Sequence, residues 1–372
     1  MQNFSSEYEN LSIEEKIGQL FFIGIPSEEL DLETTDLLDE IKPGGICLFA
    51  RNTKNAAKIR KLLNDISEQL SFQPFLSLDQ EGGLVDRLRR VVEPMPSIKE
   101  ITSANAAQNV EILANLTAEI IRIIGFNMNF APVVDVTNTE REKFVMNNQK
   151  RTFGNSTEEV IELSSDYLEN LQNGGIIGCI KHFPGIGAVQ FDPHDELPSV
   201  KITEEELRKT DLLPFIKHLE NEKIFAVMTG HVTFPMLDLQ EFDSNGKLLP
   251  SSLSQNIITK LLRDELGFEN LVLTDDLEMG AVVKNYGIGE ASKMAFLAGS
   301  DFILICNSQD AVRESFKAIM EAVESGEITE KRLDQSLERI FRVRQKLSKP
   351  LEFDENRLKE LSLEIKKLKE SL

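Results

Sequence analysis

Short apolar runs recur along the whole chain, with longer segments of helical period between them, and this alternation limits the possible fold more than any other feature. Such alternation is typical of parallel α/β architecture. The predicted strands number about eight: QLFFIGI (19–25), GGICLFA (44–50), FLSLDQ (75–80), MNFAPVVDV (128–136), IIGCIKHF (176–183), IFAVMTGHV (224–232), LVLTDDL (271–277) and DFILIC (301–306). Eight parallel strands are the number that closes a (β/α) barrel.

The segments between these runs carry helix signals. Ser12 and Glu15 have the spacing of a capping box. The periodic segment 157–173 is stopped by two glycines, and the segment 252–266 is stopped by Gly267 in the same manner. No Pro/Ser-rich linker marks a domain boundary. We therefore predict a single (β/α)8 TIM-like barrel over residues 1–348, followed by a helical tail over 349–372.

The tail predicts an amphipathic helix. Its apolar residues follow one another at intervals of three and four, which places them on one face of a helix: Leu358, Leu361, Ile365, Leu368 and Leu372. This face could pack back on the barrel or form the seam of a dimer. We expect the first arrangement, and therefore a monomer.

Composition excludes several classes of partner. With 41 Lys+Arg against 62 Asp+Glu the formal net charge is -21, which repels polyphosphate and anionic lipid surfaces, so we expect neither nucleic acid nor a membrane as partner. The start, MQNFSSEYEN, lacks the basic and apolar regions of a signal peptide, and we expect a cytoplasmic protein. Cys47, Cys179 and Cys306 are widely spaced within apolar runs, which predicts buried thiols rather than disulfides or a zinc site.

Polar residues collect where the predicted strands end. In a parallel barrel the catalytic groups come from the carboxyl ends of the strands. A single Asp after a strand is often only the N-cap of the next helix, but that explanation does not extend to every strand end at once. The residues concerned are Asp79, Asp135, Lys181, His182, His231, Asp275 and Asp276.

This set of residues favours one kind of chemistry over others. The chain has no glycine-rich phosphate cradle, no nucleophile elbow around a serine and no metal-ligand spacing, which argues against phosphoryl transfer, acyl transfer and metal-dependent hydrolysis. No metal or organic cofactor is expected. Glycoside cleavage needs a carboxylate to stabilise or trap an oxocarbenium-like transition state and a second group to protonate the leaving oxygen. The predicted strand ends could supply both groups.

The stretch KHFPGIGAVQFDPH (181–194) contains two of the 4 histidines of the chain. Lys181 and His182 would leave the fifth strand as fixed donors to sugar hydroxyls. Asp192 could orient the ring of His194 and raise its pKa, which would suit a general acid. The alternative is an Asp-Pro turn on a surface loop, and the spacing alone leaves both interpretations open. His231 and Asp135 could support the pocket or simply pack in the core.

Six motifs together resemble the motif series of glycoside hydrolase family 3, in the order in which that family has them. The closest similarity is to bacterial β-N-acetylhexosaminidases of peptidoglycan recycling, and it extends from about residue 12 to about 310. The motifs are DQEGGLVDRL (79–88), FAPVVDV (130–136), RTFG (151–154), KHFPGIG (181–187), DPH (192–194) and LGFENLVLTDDLEMGA (266–281).

The resemblance implies a retaining mechanism with Asp275 as the nucleophile and His194, held by Asp192, as the acid/base. The implied activity is exo-β-N-acetylglucosaminidase, which releases terminal GlcNAc from a small carbohydrate such as a peptidoglycan-derived muropeptide or a chitooligosaccharide. Phosphorolysis at the same site, β-glucosidase activity and a non-catalytic sugar-binding barrel are the alternatives. The implied sugar-binding residues are Asp79, Arg87, Arg151, Lys181 and His182.

Two positions depart from the family pattern. Ile186 occupies the place of a second histidine in the KHFPG motif, and Pro193 stands where the acid/base motif commonly has serine. Neither change removes a group that the resemblance assigns to chemistry, but Pro193 fixes one backbone angle beside His194. The leaving-group preference therefore stays open.

Overall fold

The strands of the protein form a closed ring in a computed structural model, which describes residues 8, 10–190, 197–221 and 223–372. The ring strands are β1 Phe21–Gly24, β2 Gly45–Leu48, β3 Phe75–Leu78, β6 Met128–Asn129, β7 Ile177–Gly178, β8 Ile180–Phe183, β9 Ala226–Thr229, β10 Leu271–Thr274 and β11 Ile303–Ile305. The parallel ladder β11-β1-β2-β3 is one arc of the ring, and β8-β9-β10 is another.

Further backbone contacts join the two arcs. The amide of Phe130 donates to the carbonyl of Leu78 at 3.0 Å, which joins the end of β3 to the segment directly after β6, and β6 pairs in parallel with β7. On the other side Leu273 and Phe302 form a parallel bridge, which joins β10 to the start of β11. All eight predicted apolar runs contribute to this ring, so the prediction of an α/β fold with a (β/α)8 TIM-like barrel is confirmed.

Helices fill the connections between the strands. Ser12 and Glu15 form the predicted capping box, with both reciprocal hydrogen bonds present. The α-helices are Ile13–Gly18, Leu32–Ile41, Ala56–Gln69, Ile98–Ile101, Ala106–Ile124, Val145–Asn148, Thr157–Asn173, Glu204–Lys209, Leu213–Leu219, Gly280–Tyr286, Ile288–Ala298, Gln309–Glu324, Glu330–Arg344 and Glu355–Ser371. Short 3-10 turns cover Thr139–Arg141 and Ser251–Leu253.

Three local expectations differ from the structure. The predicted fifth strand is divided at Cys179, whose amide donates to the carbonyls of Asn129 and Ala131. Before this residue β7 pairs with β6, and after it β8 pairs with β9. The predicted helix before Gly267 is a π-helix over Asn256–Glu265, closed by a bond from the Leu266 amide to the Leu261 carbonyl. The sequence also gave no sign of the small hairpin formed by β4 Gln80–Gly82 and β5 Val85–Asp86.

Four aromatic rings fill the interior of the barrel. The Phe22 ring lies 5.3 Å from that of Phe130 and 5.4 Å from that of Phe302, and Phe302 also meets Phe75 at 5.3 Å. A Cβ on Gly45 would lie 2.5 Å from the Phe22 ring, so glycine lets the aromatic cluster reach across β2. These rings close the interior below the carboxyl ends of the strands, where Phe130 forms part of a cavity.

The C-terminal helix Glu355–Ser371 packs on the barrel. Its residues Leu358, Leu361, Ile365 and Leu368 are buried in the same apolar core as the helix Ala106–Ile124. Arg357 adds an ion pair with Glu119 at 2.6 Å. The expectation that the tail covers its own barrel is therefore confirmed, whereas the domain boundary at 348 and the monomeric state stay predictions. Among the described residues, no helix combines the length and apolar character that a membrane span requires.

Candidate active site

A cavity of about 550 Å³ opens at the carboxyl ends of the barrel strands. The residues predicted from motifs and resemblance that line it are Asp79, Arg87, Arg151, Lys181, His182 and Asp275. Lys181 and His182 lie in β8, and the others lie in segments that follow β3, β5, β6 and β10, so the barrel brings together side chains separated by up to almost two hundred residues of sequence. The structure therefore unites all six of these residues around one cavity.

Lys181 lies at the centre of a charged network on one wall of the cavity. Its Nζ contacts Oδ1 of Asp79 at 2.7 Å and Oε1 of Glu81 at 2.7 Å. The other carboxylate oxygen of Asp79 accepts from Nη2 of Arg87 at 3.1 Å. The side chain of Lys181 is 3% exposed, so its ammonium is held by these two carboxylates rather than by bulk water.

Glu81 was not predicted as a site residue, yet it links two residues that were. Arg151 donates from Nε and from Nη2 to the two oxygens of Glu81, each at 2.8 Å, which is the bidentate geometry that guanidinium groups favour. The DQEGG motif offered a signal, because Glu81 follows Asp79 by two residues, and both carboxylates reach Lys181.

This network fixes the charges of its members. Burial acts to raise the pKa of Asp79, but the Lys181 ammonium and the Arg87 guanidinium outweigh it and hold that pKa below its usual range. In the same way, Arg151 and Lys181 overcome the effect of burial and lower the pKa of Glu81 to about 2. Burial lowers the pKa of Lys181, yet the two carboxylates raise it overall. At neutral pH the wall therefore presents fixed donors and acceptors, as the recognition of sugar hydroxyls requires.

His182 is oriented by Asp135. Its Nδ1 lies 2.7 Å from Oδ2 of Asp135, which leaves Nε2 as the ring nitrogen for a ligand in the cavity. The ladder between β8 and β9 shifts register at this point, and the irregularity allows Lys181 and His182 to line the cavity although they are adjacent in the strand. Asp135, which the sequence left ambiguous, thus supports the pocket.

Asp275 lies on the far wall, directly after β10. Its amide donates to the carbonyl of Thr229 at 3.1 Å, and its Oδ1 accepts from the Asp276 amide at 2.8 Å. Asp276 and Glu278 continue this wall, and burial raises the pKa of Asp276 to about 7. Asp275 is therefore a partly buried carboxylate that lines the same cavity as the charged network.

The two remaining histidines among the described residues have structural contacts. His231 bonds through Nε2 to the carbonyl of Asp276 at 3.0 Å and through Nδ1 to Oγ of Ser252 at 2.7 Å, so it supports the backbone next to Asp275. His218 contacts Oγ of Ser164 at 2.8 Å within the core, and burial lowers its pKa to about 4. No function was predicted for His218.

The predicted acid/base pair, His194 and Asp192, lies outside the described residues, as does Pro193. The chain on either side is firmly attached to the barrel. The Val189 carbonyl accepts from the Val145 amide at 3.2 Å, and the Val200 amide donates to the Thr233 carbonyl at 2.8 Å. Ile186 is buried, and its amide donates to Asp135 at 2.7 Å, so this departure from the family pattern is compatible with the pocket.

Within 8, 10–190, 197–221 and 223–372, no group of three or more His, Cys, Asp or Glu side chains is arranged to hold a metal ion. The three cysteines are buried free thiols, as predicted.

The fold and the cavity together define a (β/α)-barrel protein in which a network of fixed charges and a carboxylate, Asp275, line one cavity. The chain belongs to glycosyl hydrolase family 3, a family of glycosidases. The model of its N terminal domain matches residues 12–343.

Individual relatives agree with this family assignment. The chain is 31% identical over 333 residues to β-hexosaminidase A of Pseudoalteromonas piscicida, covering 85% of the chain and 55% of that protein, which the chain therefore only half spans. It is 31% identical over 283 residues to a β-hexosaminidase of Tolumonas auensis, covering 76% of the chain and 80% of that protein. A glycoside hydrolase family 3 β-N-acetylglucosaminidase from a Paenibacillus species superimposes with a TM-score of 0.86 at 32% identity, covering 96% of the chain and 69% of that structure.

Proposed function

We propose that the protein is a retaining exo-β-N-acetylglucosaminidase, which hydrolyses terminal, non-reducing GlcNAc residues. The observation that carries the proposal is the shared cavity, which Asp275 lines together with Asp79, Lys181 and Arg151, the last two held by the buried Glu81. Relatives with the names β-hexosaminidase and β-N-acetylglucosaminidase supply the choice of sugar.

The shape of the cavity favours an exo mode of action. Phe130, which packs on Phe22 in the barrel interior, lines the cavity together with the charged side chains, and we infer that a chain of sugars enters by its end. The terminal sugar would lie against Lys181 and Arg151, with its anomeric carbon towards Asp275. The leaving group would then point towards the mouth of the cavity.

The proposed mechanism has two steps. His194, protonated and held by Asp192, donates its proton to the glycosidic oxygen while Asp275 attacks the anomeric carbon and forms a covalent glycosyl-enzyme. The aglycone leaves with the proton. Neutral His194 then takes a proton from water, which attacks the same carbon and releases Asp275 together with a sugar of retained configuration.

The charged network would act by position rather than by proton transfer. Because the pKa of Glu81 is about 2 and that of Asp79 is lower than usual, both carboxylates are ionised throughout the working pH range. Asp79 lines the cavity and would accept hydrogen bonds from sugar hydroxyls, while the buried Glu81 holds Lys181 and Arg151 in place. Lys181 and Arg151 donate to the remaining oxygen atoms. Fixed charges of this kind stabilise a transition state without reorganisation.

We further propose that the substrate is a small GlcNAc-terminated carbohydrate, either a peptidoglycan-derived muropeptide or a chitooligosaccharide, and that the enzyme acts in the cytoplasm in cell-wall recycling. The motif series is the support for the recycling role. Water is the proposed acceptor, with phosphate as the competing acceptor in any test.

The direct test is an assay of the purified chain with nitrophenyl β-GlcNAc and with chitobiose, in buffer with and without phosphate. We expect free GlcNAc, released first as the β anomer, at a rate that phosphate does not change. Asp275→Asn should lose at least about a thousandfold in kcat, since it removes the nucleophile.

The matched control is Asp264→Asn, the same chemical change at an exposed position of the π-helix, which should leave kcat unchanged. If a sugar phosphate forms in the phosphate buffer, the activity is phosphorolysis and not hydrolysis. Binding of GlcNAc without any turnover would contradict the proposal.

A further inference from the structure

A buried ion pair lies beneath the arm of chain that leads from the cavity towards His194. Arg141 donates from Nη1 to Oδ1 of Asp211 at 2.6 Å and from Nη2 to Oδ2 at 2.9 Å. The Asp211 side chain is fully buried and that of Arg141 is 6% exposed. Neither residue lines the catalytic cavity, and neither was predicted as functional from the sequence.

The backbone arm over 185–187 packs directly on this pair. A Cβ at Gly185 would lie 2.6 Å from Cβ of Asp211, and one at Gly187 would lie 2.9 Å from its Oδ1 and would overlap the carbonyl oxygen of Val136. Only glycine permits so close an approach. The arm therefore rests on Asp211 with no side chain between them.

The same pair also fixes the neighbouring barrel segment. Arg141 Nη1 donates to the Val136 carbonyl at 3.2 Å, and Oγ1 of Thr210 donates to Asp211 at 3.0 Å. Asp135, one residue before Val136, accepts from the Ile186 amide at 2.7 Å and contacts His182. Arg141 and Asp211 thus hold together the arm and the segment that orients a sugar-binding side chain.

A buried pair of this kind costs desolvation energy, and an apolar pair of similar volume is often as stable. Stability alone therefore does not account for it. The planar fork of arginine does supply what an apolar pair lacks, namely a fixed direction and distance between two segments of backbone.

We propose that Arg141 and Asp211 are positioning residues for general acid/base catalysis. They fix the arm over 185–187, from which the chain continues to His194. The inference rests on the proposed function, in which His194 protonates the leaving oxygen. It adds two residues that touch neither substrate nor reacting atoms and act through the backbone.

The test compares two substrates that differ in their need for a proton. Chitobiose has a poor leaving group that must be protonated, whereas dinitrophenyl β-GlcNAc has a leaving group that departs without help. For Asp211→Asn and Arg141→Lys we expect kcat/KM on chitobiose to fall about ten- to a hundredfold, the effect of a misplaced catalytic group. On the dinitrophenyl substrate, kcat/KM should change less than about threefold, because its cleavage needs no general acid.

A third variant guards against misfolding. Asp211→Asn leaves a buried Arg141 charge without its partner, so the double variant Arg141→Met with Asp211→Asn removes both charges and should fold more readily. The matched control is Asp301→Asn, which breaks the buried Arg263–Asp301 pair of 2.6 Å before β11, at the opposite end of the barrel. Asp301→Asn should either leave kcat/KM unchanged or lower it by the same factor on both substrates.

His194→Ala distinguishes a failure of the inference from a failure of the proposed function. If His194→Ala discriminates strongly between the substrates while the Arg141 and Asp211 variants do not, the positioning role is wrong and the acid/base assignment stands. If His194→Ala lowers kcat/KM by the same factor on both substrates, the proposed mechanism fails and the inference fails with it.

Discussion

Glu81 gives the sharpest test of the charged wall, because it was found only in the structure. Glu81→Gln keeps the shape of the side chain but removes the charge that holds Lys181 at 2.7 Å and Arg151 at 2.8 Å. The pKa of Glu81 falls from 4.5 to about 2 in the folded protein. At about 1.4 kcal/mol for each pH unit by which the pKa moves, the ionised carboxylate stabilises the fold by about 3 kcal/mol.

An independent argument gives a similar figure. Removal of one partner from a buried ion pair costs about 3–5 kcal/mol, because the other charge stays buried without compensation. We therefore expect Glu81→Gln to lower the free energy of unfolding by about 3 kcal/mol at pH 7. The loosened Lys181 and Arg151 should also reduce kcat/KM at least about tenfold.

The assay is urea unfolding followed by circular dichroism at several pH values. A carboxylate with a lowered folded pKa contributes its full stability above the unfolded pKa, and the contribution disappears as pH falls from about 4.5 to about 2. The difference between wild type and variant should therefore be constant from pH 7 to pH 5 and should shrink below that.

The matched control is Glu29→Gln, which breaks the exposed pair between Lys58 and Glu29 and should change stability by at most about 1 kcal/mol. If Glu81→Gln costs no more than this control, or if its cost is independent of pH down to the acid transition, the account of the network is refuted.

Three further predictions concern stability. Burial raises the pKa of Asp276 from 3.8 to about 7, so the carboxyl destabilises the fold progressively as pH rises through that interval. Asp276→Asn should therefore raise Tm at pH 8 but not at pH 4. An equal shift of Tm at both pH values would contradict this prediction. Burial lowers the pKa of His218 from 6.5 to about 4, so this histidine should reduce the free energy of unfolding of the wild type by about 3 kcal/mol as pH falls between these values. In urea titrations over the same pH range, His218→Asn should lose less stability. Identical losses for the two proteins would contradict this prediction. Leu361 is fully buried on the barrel, so Leu361→Ala should reduce the free energy of unfolding by about 2–5 kcal/mol and leave KM unchanged. As the control, Leu363→Ala at an exposed position should change the free energy of unfolding by no more than about 0.5 kcal/mol.

The barrel could be predicted from the sequence because its signals are local. Each strand is marked by a short apolar run such as 271–274, and each connection carries its own caps, as Ser12 and Glu15 do. The division of the fifth strand could not be predicted. It depends on which neighbouring carbonyls the Cys179 amide meets, and these belong to a segment about fifty residues earlier in the chain.

The site was predictable only in part, for the same physical reason. Lys181, His182 and Asp275 follow apolar runs and stand out locally, whereas Arg151 was reached through resemblance alone. Glu81 acquires its role from contacts 70 residues away with Arg151 and farther still with Lys181. Its spacing from Asp79 was visible in the sequence, but the hairpin that turns both carboxylates to one wall was not.

The positioning pair illustrates the limit most clearly. Arg141 lies in a short 3-10 turn, and Asp211 precedes an ordinary helix, so neither shows a motif. Their bidentate contact spans 70 residues. Only the packing of Gly185 and Gly187 against Asp211 connects them to the arm that continues towards His194.

The most direct measurement of the central claim is to identify the residue that becomes glycosylated. His194→Ala with dinitrophenyl β-GlcNAc should form the glycosyl-enzyme readily but hydrolyse it slowly, so that the intermediate accumulates and can be quenched with acid, digested and mapped by mass spectrometry. We predict one GlcNAc residue on Asp275. A label on Asp276 or Glu278 instead, or turnover with no covalent label and an inverted product, would contradict the account.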